Sequence, residues 1–166
     1  MALKFPHLKQ PDSMECGATC LRMIAKFHGK EYSAETMQNL CVVTREGVSM
    51  LGIVDAAEYI GFRTICGRMT LGKMVEQRPF PCILHWNQDH FVVLYDAKKK
   101  RDGESVFYIA DPGKNLLRIN EEEFRNAWIS TPFRYQFIGK ILVDCVCRRF
   151  YGSYPLRSIV YQLIFV

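Results

Sequence analysis

"HFVVLYDA" at residues 90–97 and "SVFYIADP" at 105–112, joined by "KKKRDGE" at 98–104, decide the fold. Both outer runs are rich in β-branched and aromatic residues, which suit a pleated, packed surface. The segment between them holds the densest charge of the chain and reads as a solvated hairpin or loop. Two strands joined so closely run antiparallel. Working outward, "CILHW" (82–86) follows Pro79 and Pro81 and is a further strand, and "LLRI" (116–119) is a short one. "FRTICG" (62–67) alternates apolar and polar residues and suits a strand, and "FIGKILVDCVC" (137–147) is a candidate final strand.

Upstream the period changes from two to that of a helix. In "QPDSMECGATCLRMIAKFHG" (10–29), Pro6, Pro11 and Asp12 mark an extended lead-in, and Asp12 with Glu15 three residues on resembles a capping box. Leu21, Met23, Ile24, Ala25 and Phe27 then give an apolar face, which Gly29 closes. Ser33 caps a short helix over "SAETMQNLC" (33–41). "SMLGIVDAAEYIG" (49–61) is a third, with Leu51, Val54, Ala57 and Tyr59 or Ile60 near helical spacing and Gly61 at its end. "TLGKMVEQ" (70–77) is a short helix, and Asn120 caps "NEEEFRNAW" (120–128), whose first-turn acids favour the helix dipole. Helices come first and strands follow. The expected class is α+β, a helical lobe packed against an antiparallel sheet.

The 166 residues suffice for one domain, and 49% hydrophobic with 23% charged residues is a globular composition. The net charge of +5 comes without an aromatic-interleaved basic stripe, so no nucleic-acid partner is expected. Seven cysteines, no opening signal peptide and no C-x-x-C pair point to reduced, mostly buried thiols rather than a disulfide framework or zinc knuckle. Cys145 and Cys147 flank a single residue, which suits neither a zinc site nor a thioredoxin-type motif. No phosphate-binding glycine loop occurs, and no cofactor or metal is implied. The expected organisation is a domain over 1–140 and a tail over 141–166, the start of a linker or a membrane-proximal segment. The apolar end of that tail, "SIVYQLIFV", is nine residues long, against the roughly 20 that a spanning helix needs.

The chemistry-bearing residues come in a particular order. Cys16 sits in the first turn of the first helix, where unpaired N–H groups and the positive dipole end stabilise a thiolate. Cys20, one turn deeper, reads as buried and inert. His90 opens the strongest strand, ahead of His7 in the lead-in, His28 at a helix C-terminus and His85 within a strand. Asp111 ends the next strand, where it can accept an N–H from His90 and fix the imidazole tautomer. Gln10 lies six residues before Cys16, and its amide can face an oxyanion beside the thiol, with the Cys16 N–H as second donor. Each has a commoner structural reading when taken alone: a small core thiol, a packed histidine, a turn aspartate, an exposed glutamine. Jointly they supply the four parts of a cysteine protease, in the order of papain-like enzymes.

Three stretches carry a family resemblance. "QPDSMECGATCLRMIAKFHG" resembles the Gln-x5-Cys-Gly-x2-Cys box of the peptidase domains of peptidase-containing ABC transporters, the bacteriocin-processing endopeptidases. "DHFVVLYD" and "IADPG" are similar to that family's His-x-Val-Val-Leu and Asp-Pro boxes, and "EEEFRNAW" to the helix that follows, although "IST" stands where a glycine is usual. Glu15 replaces the usual aspartate before the nucleophile. The likeness covers roughly residues 5–130. It implies a papain-like fold at the cytoplasmic face of the bacterial inner membrane, or in the cytoplasm for a free-standing domain. It also implies cleavage of a leader peptide after a Gly-Gly pair, and export of the processed peptide by transporter membrane and ATPase domains outside this chain. By position it makes Cys16 the nucleophile, His90 the general base and acid, Asp111 the orienter and Gln10 the oxyanion donor. An amphipathic leader helix would need an apolar groove, for which Met37, Leu40, Tyr59 and Phe62 are candidates alongside a plain core role. The alternatives are a non-catalytic leader-binding module, a metal or redox protein using Cys16 and Cys20, and another papain-like acyl transfer.

Overall fold

The computed structural model describes residues 4–87, 89–101, 103–128, 131–133 and 136–144, with side chains to Trp128. Three helices precede most of the sheet: α1 (Cys16–Phe27), α2 (Ala34–Cys41) and α3 (Met50–Tyr59). Then come β1 (Thr64–Thr70), α4 (Leu71–Gln77), β2 (Cys82–Trp86), β3 (His90–Lys99), β4 (Ser105–Ala110), β5 (Leu116–Asn120), α5 (Glu121–Trp128), β6 (Thr131–Phe133) and β7 (Gln136–Asp144). Among the described residues the strands form one seven-stranded antiparallel sheet in the order β1-β7-β2-β3-β4-β5, with β6 paired to β7. The α+β class and its helical lobe are as the sequence implies. "FIGKILVDCVC" supplies most of β7, which is paired on both sides, by β1 and by β2. β7 runs to Asp144, past the 140/141 division, and residues 145–166, which hold the rest of the tail, lie outside the described residues.

The sheet is packed on both faces. On one lie α1, α2 and α3, whose Leu21, Ile24, Met37, Ile53 and Ala57 meet Ile83, Phe91, Val93 and Ala110. On the other, Leu71 and Met74 of α4 and Phe124 and Trp128 of α5 meet Leu84, Val92, Leu94, Phe107 and Ile109. The alternation of β3 therefore serves two cores: Phe91 and Val93 face the helical lobe, while Val92 and Leu94 face α4 and α5. A strand buried on both sides reads as a continuous apolar run, as "FVVL" does. Phe107 stacks on Phe124 with centroids 4.0 Å apart, and Trp86 meets Phe124 edge-on at 5.5 Å.

Ser33 and Asn120 cap where the sequence places them, and Ser49 and Thr70 cap as well. Ser33 accepts from the Thr36 N–H, Ser49 from Gly52, and Thr70 from Lys73. Asn120 and Glu123 form a reciprocal capping box at α5, at 2.8 and 3.2 Å. Gly29 and Gly61, with φ of 79° and 91°, follow α1 and α3. Two expectations need correction. The Asp12 carboxylate caps a one-turn 3-10 helix (Ser13–Glu15) through the Met14 N–H, not a box with Glu15, which is buried. This extra turn makes Cys16 the first residue of the α-helix proper. The inner face of α3 is Ile53, Ala56 and Ala57, with Ile60 just after it, while Leu51 and Tyr59 are 67% and 79% exposed. The face is set by close approach to α2: a Cβ on Gly52 would lie 2.5 Å from the Cys41 carbonyl oxygen. Of the groove candidates, Met37 and Phe62 are buried core, Leu40 is half-buried and Tyr59 is exposed. Among the described residues no helix is long and apolar enough to cross a membrane.

Candidate active site

The N-terminus of α1 packs on the sheet where β3 begins and β4 ends. Cys16, His90 and Asp111 come from these three places. The side chain of Cys16 is 5% exposed and lies near enough to the His90 ring to raise its pKa. The His90 Nε2 lies 2.8 Å from Asp111 Oδ1, leaving Nδ1 as the nitrogen for the sulfur. Register explains the pairing. β3 and β4 align Val93 with Ala110, so His90 and Asp111 lie just beyond the last paired residues, at the same end of the hairpin.

Asp111 is 2% exposed and its carboxylate is well held. Oδ1 also accepts the Gly113 N–H at 2.9 Å, the aspartate side chain closing its own turn. Burial alone would raise the Asp111 pKa. The bonds from His90 and the Gly113 N–H outweigh it, and the carboxyl stays below the usual range. For His90, burial acts to lower the pKa, but the Asp111 bond, the Cys16 bond and the charges of both partners raise it to about 9. An imidazole so placed is protonated near neutrality and able to pair with a thiolate.

Gln10 reaches the same turn. Its backbone N–H donates to the Pro112 carbonyl at 2.9 Å. A Cβ placed on Gly113 would lie 3.7 Å from both Gln10 Oε1 and His90 Cε1, and 3.4 Å from Asp111 Oδ1, so the three side chains surround one glycine. Gln10 Oε1 is buried with no hydrogen-bond partner among the described residues. The structure thus brings Cys16, His90, Asp111 and Gln10 together at one end of the sheet.

The competing residues lie elsewhere or act differently. Cys20 is fully buried and donates its S–H to the Phe91 carbonyl at 3.3 Å; burial, then the charges of Cys16 and Asp111, pushes its thiol well up. It is an inert tie between α1 and the residue after His90, and that contact is incompatible with a metal-binding thiolate. Among the described residues no three His, Cys, Asp or Glu side chains cluster as a metal site needs. His85 is half-buried against Phe91, and His28 meets Phe27 and Phe62 edge-on. His7, passed over as a lead-in residue, contacts the site's own turn: its Nε2 lies 2.8 Å from the Asp111 carbonyl oxygen. No local pattern marks this contact, which spans more than 100 residues of sequence.

The sequence profile described as the Peptidase C39 family matches residues 4–132. The chain belongs to the Peptidase C39 family. Members are cysteine peptidases of papain-like fold, and the α+β sheet described above is that fold. Among C39 relatives, the colicin V secretion/processing ATP-binding protein of Escherichia coli is 31% identical over 120 residues, 72% of this chain and 16% of the relative. The lactococcin-A transport/processing ATP-binding protein of Lactococcus lactis subsp. lactis is 35% identical over 130 residues, 74% of this chain and 17% of the relative. The chain thus spans about a sixth of the length of these relatives. Among solved C39 structures, a double glycine motif protease from an AMS/PCAT transporter, in complex with a leader peptide, superposes with a TM-score of 0.71 at 33% identity, covering 85% of this chain and 91% of that one. The peptidase domain of Streptococcus ComA gives 0.67 at 23% identity, covering 84% and 97%.

Proposed function

We propose that this chain is a cysteine endopeptidase that cuts a leader peptide after a Gly-Gly pair, as one domain of a peptide exporter. The observation that carries the proposal is the imidazole of His90, bonded to Asp111 at 2.8 Å and close to the Cys16 side chain at the start of α1. This arrangement has a direct chemical use. With the proton already on the His90 ring, the Cys16 sulfur attacks the carbonyl carbon of the second glycine. Negative charge moves to the carbonyl oxygen, where the Gln10 carboxamide and the Cys16 N–H donate to it. The buried, unpartnered oxygen of Gln10 supports this role, because rotation of the amide end for end offers two donors at the same place. The intermediate collapses, the C–N bond breaks and His90 gives its proton to the leaving amine. Water, deprotonated by His90, then hydrolyses the thioester. Asp111 holds the imidazole tautomer throughout.

The choice of substrate rests on the relatives, whose names describe secretion and processing or a double glycine motif. Two glycines present no side chain, so a peptide bearing them can thread a slot that rejects larger residues. The membrane-spanning and ATP-hydrolysing parts then belong to regions outside this chain, and the peptidase works at the cytoplasmic face of the membrane. A non-catalytic leader-binding module would have no use for a thiol beside an Asp-held imidazole, so retention of all four side chains favours catalysis. The test is cleavage of a panel of Gly-Gly leader peptides with the cut mapped by mass spectrometry. Cys16→Ala should abolish cleavage and leave leader binding intact. Cleavage by that variant at the parental rate removes the proposal, as does a cut that ignores the glycines.

A further inference from the structure

The lead-in over residues 5–10 is fastened down at three points. Phe5 is 2% exposed, stacks on Tyr95 with centroids 4.9 Å apart and meets Phe27 at 5.1 Å. His7 Nε2 lies 2.8 Å from the Asp111 carbonyl oxygen. The Gln10 N–H donates to the Pro112 carbonyl at 2.9 Å. The last two contacts fall on adjacent carbonyls of a single turn, the one whose aspartate orients His90. A carbonyl oxygen only accepts, so His7 Nε2 carries the proton in this contact. Asp111 is thus held at both ends. Its carboxylate takes His90 Nε2 and the Gly113 N–H, and its carbonyl takes the Lys114 N–H at 3.1 Å and the His7 ring.

From this arrangement we infer that His7 is a positioning residue for the proposed reaction: its ring N–H, on the Asp111 carbonyl, locks the lead-in to the catalytic turn and so keeps the Gln10 amide and the Asp111 carboxylate in fixed relation to His90. The two groups come from segments 101 residues apart in sequence (111 − 10 = 101), and nothing covalent sets their separation. Without the His7 bond the Gln10 N–H remains as the only described hydrogen bond from the lead-in to the turn, and rotation about one bond changes the direction of the amide. Displacement of a charge-stabilising donor by a fraction of an ångström weakens it most in the transition state, so the loss should fall on kcat and not on substrate binding.

The inference rests on the peptidase reading, and the experiment separates the two. His7→Leu fills the space without a donor. His7→Gln places an amide nitrogen the same number of bonds from Cα as the lost Nε2. Cleavage of a Gly-Gly leader peptide should show kcat reduced about tenfold in His7→Leu, with KM within about twofold, and His7→Gln should restore most of kcat. Thermal melts of the same proteins report folding. A His7→Leu protein that melts as the parent but turns over slowly supports the inference. Equal kcat in parent and His7→Leu overturns it while leaving the peptidase reading in place. Equal losses in both variants also overturn it, because they assign His7 to packing. A parent that cleaves no leader peptide, yet whose Cys16 alkylates rapidly, overturns the substrate reading first and the inference with it.

Discussion

At the level of single residues, the candidate site turns on one imidazole bonded to the Asp111 carboxylate and close to the Cys16 side chain. The His90 pKa, raised to about 9 from an ordinary 6.5, has a definite sign in linkage. The imidazolium and its partners contribute stability fully below the unfolded value, and this contribution is lost as pH rises through about 9. Asp111, held low, acts at the other end: its contribution is present above the ordinary carboxylate range and is lost as pH falls through its folded value. Leader cleavage by the parent should therefore keep its activity through neutrality and fall on an alkaline limb near pH 9, read from kcat/KM across a pH series. Asp111→Asn should fold, lose activity on the order of 10³–10⁴-fold through the wrong tautomer, and move the alkaline limb of the residual kcat/KM to lower pH. An unmoved limb would assign Asp111 to the turn alone. The four candidate residues that the fold brings together were legible because each sits at an element boundary that the sequence announces: a helix start, a strand start, a strand end, an extended lead-in. His7 was not legible, since its partner is a carbonyl oxygen that any residue at 111 would supply.

Among the elements, the caps and breakers were the most readable and the buried faces the least. Ser33, Ser49, Thr70 and Asn120 cap where their side chains can accept a nearby N–H, a purely local interaction. Asn120→Ala should destabilise α5 by about 1 kcal/mol in urea unfolding and leave kcat unchanged, because α5 lies on the face away from Cys16. Facing is not local. The spacing of apolar residues in α3 fits two overlapping stripes, and only contact with α2 selects the one through Ile53 and Ala57. Gly52 makes that contact possible. Gly52→Ala should destabilise the fold by about 1–3 kcal/mol, because the added methyl meets the Cys41 carbonyl, which belongs to rigid helix backbone. The gain of roughly 1 kcal/mol in helix propensity offsets only part of this. A melting temperature equal to that of the parent would mean that the two helices separate at little cost.

Across the whole molecule, two cores share one sheet. β2, β3 and β4 each supply residues to both, so neither core can loosen without disturbing the other. Both tryptophans, Trp86 and Trp128, lie in the core under α4 and α5, whereas α1, α2 and α3, which hold most of the described helical residues, lie opposite. Tryptophan fluorescence and far-ultraviolet dichroism therefore report different faces, and their urea transitions should coincide. Phe124→Ala, which removes a ring packed against Phe107, Trp86 and Trp128, should shift both curves together by about 3–5 kcal/mol. Separate midpoints would show that the faces unfold independently. The antiparallel hairpin and the class were legible from strand composition. The position of the last strand was not, because sheet order depends on pairing between distant segments that carry no local mark.

That last strand sets where this enzyme can be trimmed. The family profile stops at residue 132, yet residues 136–144 fill the slot between β1 and β2. A shortened gene ending at 132 would leave β2 with a bare edge facing the gap and would strip β1 of its hydrogen-bonded neighbour. Such a product should collect in inclusion bodies, whereas one that retains residues through 144 should purify as a folded, titratable thiol enzyme.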